Sequence, residues 1–221
     1  MAGLCWMAVM VAFFLSAENS LAVDQNRLAS FVNGILSQYG TQGMFSLAVS
    51  IPDNQNQNIN TILQNIFQSD PPDNVRNVIN NGQVYKGTRV VAAKVLKPTN
   101  GRPDHAESRV VDELDRFFRR SNPSDLLLFY VYASPCVEKC SSNTHQQSIL
   151  ERIKSISKWS NYAFVFSKIF KPRNGPTNTD EQRRGALERL GHSIGPENIF
   201  RCEWQCTSCS SGGNVANYCV S

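Results

Sequence analysis

The run Leu126 to Tyr132, L-L-L-F-Y-V-Y, carries no charge and no polar group beyond two tyrosine hydroxyls. A strand that is apolar at nearly every position is buried on both faces. A chain holding such a strand needs a covering layer on each side of its sheet. The flanking segments can provide cover. Asp104 N-caps a helix with Ala106, Val110, Leu114 and Phe117 on one stripe, joined by Val111 and Phe118. Pro123 stops it, because proline disfavours helix in the residue before it. Beyond the strand, Ser134-Pro135 open a second helix, expected to run to about Lys158 with Ile149, Leu150, Ile153 and Ile156 inward.

Both helix starts carry metal-ligand residue types. His105-Ala106-Glu107 opens the first, and Ser134-Pro135-Cys136 with Cys140 opens the second. One imidazole and two thiols can hold zinc and leave a fourth position open. His105 and Glu107 are two apart, so a regular helix would point them about 200° from each other. Both reach one pocket only if it lies off the helix's N-terminal end. The spacing therefore predicts two helix N-termini converging on the metal, where a helix dipole also lowers thiol pKa values. Two other readings stay open: a capping box Asp104-x-x-Glu107, and a Cys136–Cys140 disulfide.

Residues Leu4 to Leu15 are almost wholly apolar, and Ser20-Leu21-Ala22 follows with small residues. This predicts a secretory signal peptide over 1–22, cleaved after Ala22. No later stretch is long and apolar enough to span a membrane. The formal net charge is +4, and losing Glu18 with the leader raises it by one. Such a balance suits polyanions. Of seven cysteines, Cys5 leaves with the leader and two belong to the candidate metal site. Cys202, Cys206, Cys209 and Cys219 then predict two disulfides in an oxidising compartment, with three connectivities open and a four-cysteine zinc site as the rival. No N-glycosylation sequon follows residue 22. Histidines 145 and 192 are expected at the surface, and Arg183, Arg184 and Arg189 on a solvated helix face.

The remaining chain predicts a helix from Asp24 to Tyr39 and strands over Met44–Ile51, Val84–Leu96, Tyr162–Phe170 and Ile199–Trp204. A further helix spans Thr179–Leu190. The mature chain divides into residues 23–204 and a cysteine-rich tail, 205–221. The Asn/Gln-rich stretch 52–83 is expected as a solvated insertion, with a short helix at most around Ile59 to Phe67. A helix between the fourth and fifth strands allows those two to be parallel.

With His105-Ala106-Glu107 and Ser134-Pro135-Cys136…Cys140 in this order, the chain resembles the zinc-dependent cytidine deaminase superfamily. Its element order resembles the AID/APOBEC branch, and Ser167-Lys168-Ile169-Phe170 is similar to that branch's A-R-I-Y stretch. The leader makes it similar to the secreted AID/APOBEC-like deaminases of vertebrates. The resemblance implies a three-layer α-β-α fold with a five-stranded mixed sheet, strands 4 and 5 parallel. It implies zinc (Zn2+) held by His105, Cys136 and Cys140, with Glu107 as proton shuttle. Zinc-bound hydroxide would attack C4 of cytosine in single-stranded DNA or RNA and yield uracil. Arg102, Phe170, Lys171 and Arg173 would contact the strand. The alternatives are a deaminase of cytidine nucleoside or of adenine, or a non-catalytic secreted binding protein in defence. Three features set this chain apart: three residues between the cysteines, Ala133 where the branch often has Trp, and the 52–83 stretch.

Overall fold

The computed structural model describes residues 23–99, 103–172 and 176–221. The leader, Arg102 and Arg173 lie outside the described residues. α1 (Gln25–Tyr39) is capped by Asp24, whose carboxylate accepts from the Arg27 amide at 2.7 Å. β1 (Phe45–Ile51) follows, then α2 (Ile59–Ser69), α3 (Pro72–Asn80), β2 (Tyr85–Lys86) and β3 (Val90–Lys94). Next come α4 (Ala106–Val111), α5 (Leu114–Phe118), β4 (Leu126–Ala133) and a 3-10 helix (Arg152–Lys158). The chain ends with β5 (Asn161–Lys168), α6 (Asp180–Ile194), β6 (Ile199–Cys202), β7 (Cys206–Ser208) and a small hairpin of β8 (Ser210–Ser211) and β9 (Asn214–Val215).

The main sheet has seven strands, ordered β2-β3-β1-β4-β5-β6-β7, where the sequence reading expects five. Two local effects account for the difference. The expected strand Val84–Leu96 is folded into a hairpin at Gly87, and the tail adds β7 beside β6. β4, β5 and β6 run parallel, while the other pairings are antiparallel. The fourth and fifth expected strands, now β5 and β6, are thus parallel, with α6 as their crossover.

Alternation along the strands builds two cores. Leu127, Phe129 and Val131 of β4 face one side with α4, α5, the 3-10 helix and α6. Leu126, Leu128 and Tyr130 face the other side with α1, α2 and α3. The helices therefore form a layer on each face of the sheet. Among the described residues no helix is long and apolar enough to cross a membrane.

The stretch 52–83 is not a solvated insertion. Ile62, Leu63, Ile66, Val75 and Ile79 are buried in the second core. Asp70, at the end of α2, is the tie. Its buried carboxylate accepts from the Tyr85 hydroxyl at 2.9 Å and from the Thr88 and Arg89 amides at 2.9 and 2.6 Å. This pulls β2 and β3 into their hairpin. A Cβ on Gly87 would lie 1.7 Å from the Asp70 carboxylate, so only glycine fits there.

The four tail cysteines pair as Cys202–Cys206 and Cys209–Cys219. Arg183, Arg184 and Arg189 are not on a solvated face. Their guanidinium groups donate to the carbonyls of Val220, Val215 and Ser141, so α6 holds the tail and the cysteine loop. We expect Asp70→Ala to lower unfolding free energy by about 2–3 kcal/mol, since three donors lose a charged acceptor. Urea denaturation with an unchanged m-value checks this.

Candidate metal centre

Two regions converge at the C-terminal edge of the parallel strands. The ladder of β4 with β5 runs to Ala133 opposite Lys168. It is extended by the Ser134 amide, which donates to the Lys168 carbonyl at 2.8 Å. The Phe170 amide then donates to the Ser134 hydroxyl at 3.0 Å. One serine thus fixes both the entry to the cysteine loop and the backbone of Phe170.

The cysteine segment is a set of turns, not the expected helix. The Cys140 amide donates to the Cys136 sulfur at 3.2 Å, and the Ser141 amide reaches back to the Cys136 carbonyl. Serines 141, 142 and 148 offer further side-chain bonds to the backbone. Such bonds compete with helix propagation. Regular structure resumes only at Arg152, as a 3-10 helix. Ile149, Leu150, Ile153 and Ile156 are nonetheless buried as their spacing predicts.

The first motif also departs from its expected form. His105, not Asp104, is the N-cap of α4, and no side chain makes a capping bond there. The capping-box account of Glu107 is therefore absent. The expected single helix is broken near Glu113, whose amide bonds to Val110 and whose carboxylate meets Lys86 at 2.6 Å. Among the described residues only one helix N-terminus, that of α4, faces the cluster.

His105 Nδ1 lies 3.0 Å from Cys140 Sγ and 3.7 Å from Cys136 Sγ, and the sulfurs are 3.4 Å apart. These are the edges of a triangle suited to one ion. Tetrahedral zinc with N and S ligands spaces its donors about 3.3–3.8 Å apart, a range that holds the 3.7 and 3.4 Å edges, while the 3.0 Å edge is shorter. Among the described residues this is the one group of three such donors close enough to share a metal. Both cysteines are buried and unbonded to each other, unlike the four in the tail.

Glu107 is 7% exposed. Its Oε1 accepts from the Cys140 thiol at 2.9 Å and lies 3.5 Å from His105 Nδ1. Burial opposes its ionisation, but hydrogen bonding and charge from His105 outweigh that and hold its pKa below the usual value. The Cys136 hydrogen bond, with that of Glu107, raises His105 to about 10 against desolvation. The bond from Cys140 lowers Cys136 to about 5. That same bond, with burial, pushes Cys140 well above the ordinary thiol value. Metal ligation needs the imidazole neutral and both thiols ionised. An imidazole and two sulfurs are donor types that zinc takes, so this donor set fits zinc.

A cleft of about 470 Å³ opens beside the cluster, lined by Met44, His105, Glu107, Tyr132, Lys168, Phe170 and Lys171 among others. A second, of about 160 Å³, is lined by Cys136, Val137 and Pro172 and shares His105 and Phe170 with the first. Phe170 and Lys171, expected from sequence, therefore border the site. Tyr132 and Lys168 were not expected there. Tyr132 lies next to Ala133, and Lys168 lies inside the Ser167–Phe170 motif, which could have pointed to it. Two side chains brace the site from behind. Arg152 donates to the Ser108 hydroxyl at 3.0 Å and to the Ser148 carbonyl at 2.9 Å, joining α4 to the loop after Cys140. Arg189 holds the Ser141 carbonyl. Histidine 192 is exposed, and His145 is half-buried with its Nδ1 accepting from the Gln147 amide.

The helices α2 and α3 lie on the far face of the sheet from this cluster. The end of the stretch 52–83 reaches α4, where the Gly82 carbonyl accepts from Arg109 at 2.7 Å.

The model of one protein family, described as Secreted Novel AID/APOBEC-like Deaminase 1, matches residues 25–221. Neither the curated proteins nor the solved structures give a match. A secreted protein accords with that description and with the two disulfides. The match spans nearly all of the described chain, and the chain belongs to the Secreted Novel AID/APOBEC-like Deaminase 1 family.

Proposed function

We propose that this deaminase-family protein hydrolyses cytosine to uracil within a single-stranded polynucleotide, with His105, Cys136 and Cys140 holding zinc and Glu107 moving the proton. The observation that carries this reading is Glu107. It is a buried carboxylate set against His105 and Cys140, free of any capping duty and open to the larger cleft. Zinc bound there brings the pKa of water towards neutrality and so supplies the nucleophile.

Glu107 then takes the proton that water gives up and delivers it to the ring nitrogen of the base. Oxygen is gained at C4, and the amino group leaves as ammonia after a second proton transfer. Phe170, at the junction of the two clefts, offers a ring for the base to lie against. Lys171 is exposed beside it and suits a phosphate. Arg102 and Arg173 complete the proposed contact set.

Glu107→Gln should retain equimolar zinc by elemental analysis and lose about 10²–10⁴ in turnover, the usual worth of a positioned acid–base group. Assays on single-stranded DNA, RNA and cytidine in parallel read the substrate class, and normal turnover by the variant would remove Glu107 from the mechanism. Cys136→Ser should lower zinc occupancy and abolish activity together. Full activity in zinc-free Cys136→Ser protein would overturn the assignment of the ligands.

A further inference from the structure

Trp204 has the most exposed large apolar side chain among the described residues, at 81%. It stands in the turn between β6 and β7. Cys202 and Cys206 face each other across that turn and are bonded. From the α1 side, Asn33 donates to the Trp204 carbonyl at 2.9 Å. The backbone is thus held from two directions while the indole stays uncovered. Little ordering cost remains for a ligand that stacks on it.

The same turn is linked to the candidate site by one ion pair. β4, β5 and β6 are parallel, so their C-terminal ends share one edge of the sheet. Glu203, the neighbour of Trp204, lies 3.5 Å from Lys168 Nζ, and Lys168 lines the larger cleft with Glu107 and Phe170. Arg201 donates to Glu203 at 2.9 Å and lies 4.6 Å over the ring of Tyr218. Glu203 is shared between Arg201 and Lys168, and Lys171 is exposed nearby, so the edge keeps a positive balance.

We propose that Trp204 is a stacking platform for a base neighbouring the one that enters the cleft, with Lys168 and Lys171 meeting the phosphates between them. The ligand is a single-stranded polynucleotide, and the proposal rests on the deaminase reading of the cleft. Indole stacks on any base and cations attract any phosphate, so the platform holds a strand without reading its sequence. A free nucleoside has neither a neighbouring base nor a phosphate and gains nothing from Trp204. The disulfide-bonded turn thereby sets substrate length.

The test uses the full secreted chain and its own fluorescence. After the leader, the chain has two tryptophans, and Trp159 is fully buried. Emission that solvent can quench therefore reports Trp204. The probes are oligothymidylate and oligouridylate, which contain no cytosine. We expect quenching of Trp204 on titration, an affinity weakened about tenfold in Trp204→Ala, and recovery of most of it in Trp204→Phe. Emission unchanged at saturating oligonucleotide, or equal affinities for Trp204→Ala and the parent chain, would overturn the proposal and leave the indole as a face for a protein. Neither probe is a deamination substrate. A failure of the cytosine assay with a positive titration therefore sinks the deaminase reading alone.

Discussion

The site depends on one parallel ladder. β4 and β5 stay paired to their last residues, and Ser134 continues the pairing for one more bond on each strand's exit. Because the strands are parallel, both chains leave the sheet at the same edge. The exit of β4 becomes the cysteine loop, and the exit of β5 becomes Ile169-Phe170-Lys171. An antiparallel pair would send these two exits to opposite ends. The crossover that permits the parallel arrangement buries Ile149, Leu150, Ile153 and Ile156 against the sheet. Packing on that face and the geometry of the cluster are therefore one constraint.

That constraint places an unusual amount of charge under cover. A carboxylate and two sulfurs meet in a space where an unpaired ion would be costly. His105 relieves part of this as a cation, which is why its pKa is raised despite its burial. Glu107 has the same partner and is lowered for the same reason. The arrangement is balanced either by protons or by a dication. Arg152 and Arg189, which hold α4, the cysteine loop and α6 together, keep the donors from drifting apart.

How much of this was legible in the sequence follows from the physics of each part. Leu126–Ala133 could be read because both of its faces are apolar, and α1 and α6 because capping residues mark their starts. The nearness of His105, Cys136 and Cys140 could be read because their motifs stand in the order seen in the deaminase superfamily that the chain resembles. The helix expected after Pro135 could not, since its fate turns on one amide choosing a sulfur over a carbonyl. The burial of α2 and α3 was hidden by their composition. Asn and Gln fill most exposed positions, while Ile62, Leu63, Ile66, Val75 and Ile79, with Ile59 and Phe67 beside them, carry the contact. The β2–β3 hairpin was hidden for a different reason. It is held by Asp70, which lies fifteen residues before Tyr85 and gives no local signal.

The cysteines show why spacing alone underdetermines chemistry. Cys136 and Cys140 are four apart, and so are Cys202 and Cys206. The second pair lies directly across an antiparallel hairpin, in register and without other donors at hand, and it is bonded. The first pair lies in a turn, with an amide on one sulfur and with His105 and Glu107 against the other. In an oxidising compartment two thiols 3.4 Å apart are exposed to the same oxidants as their counterparts in the tail. Burial slows that chemistry, and ligation to a metal stops it by occupying the lone pairs that would attack a disulfide. The identical interval thus yields a staple where the backbone is extended and a pair of free thiols that could hold a metal where an imidazole closes the third side.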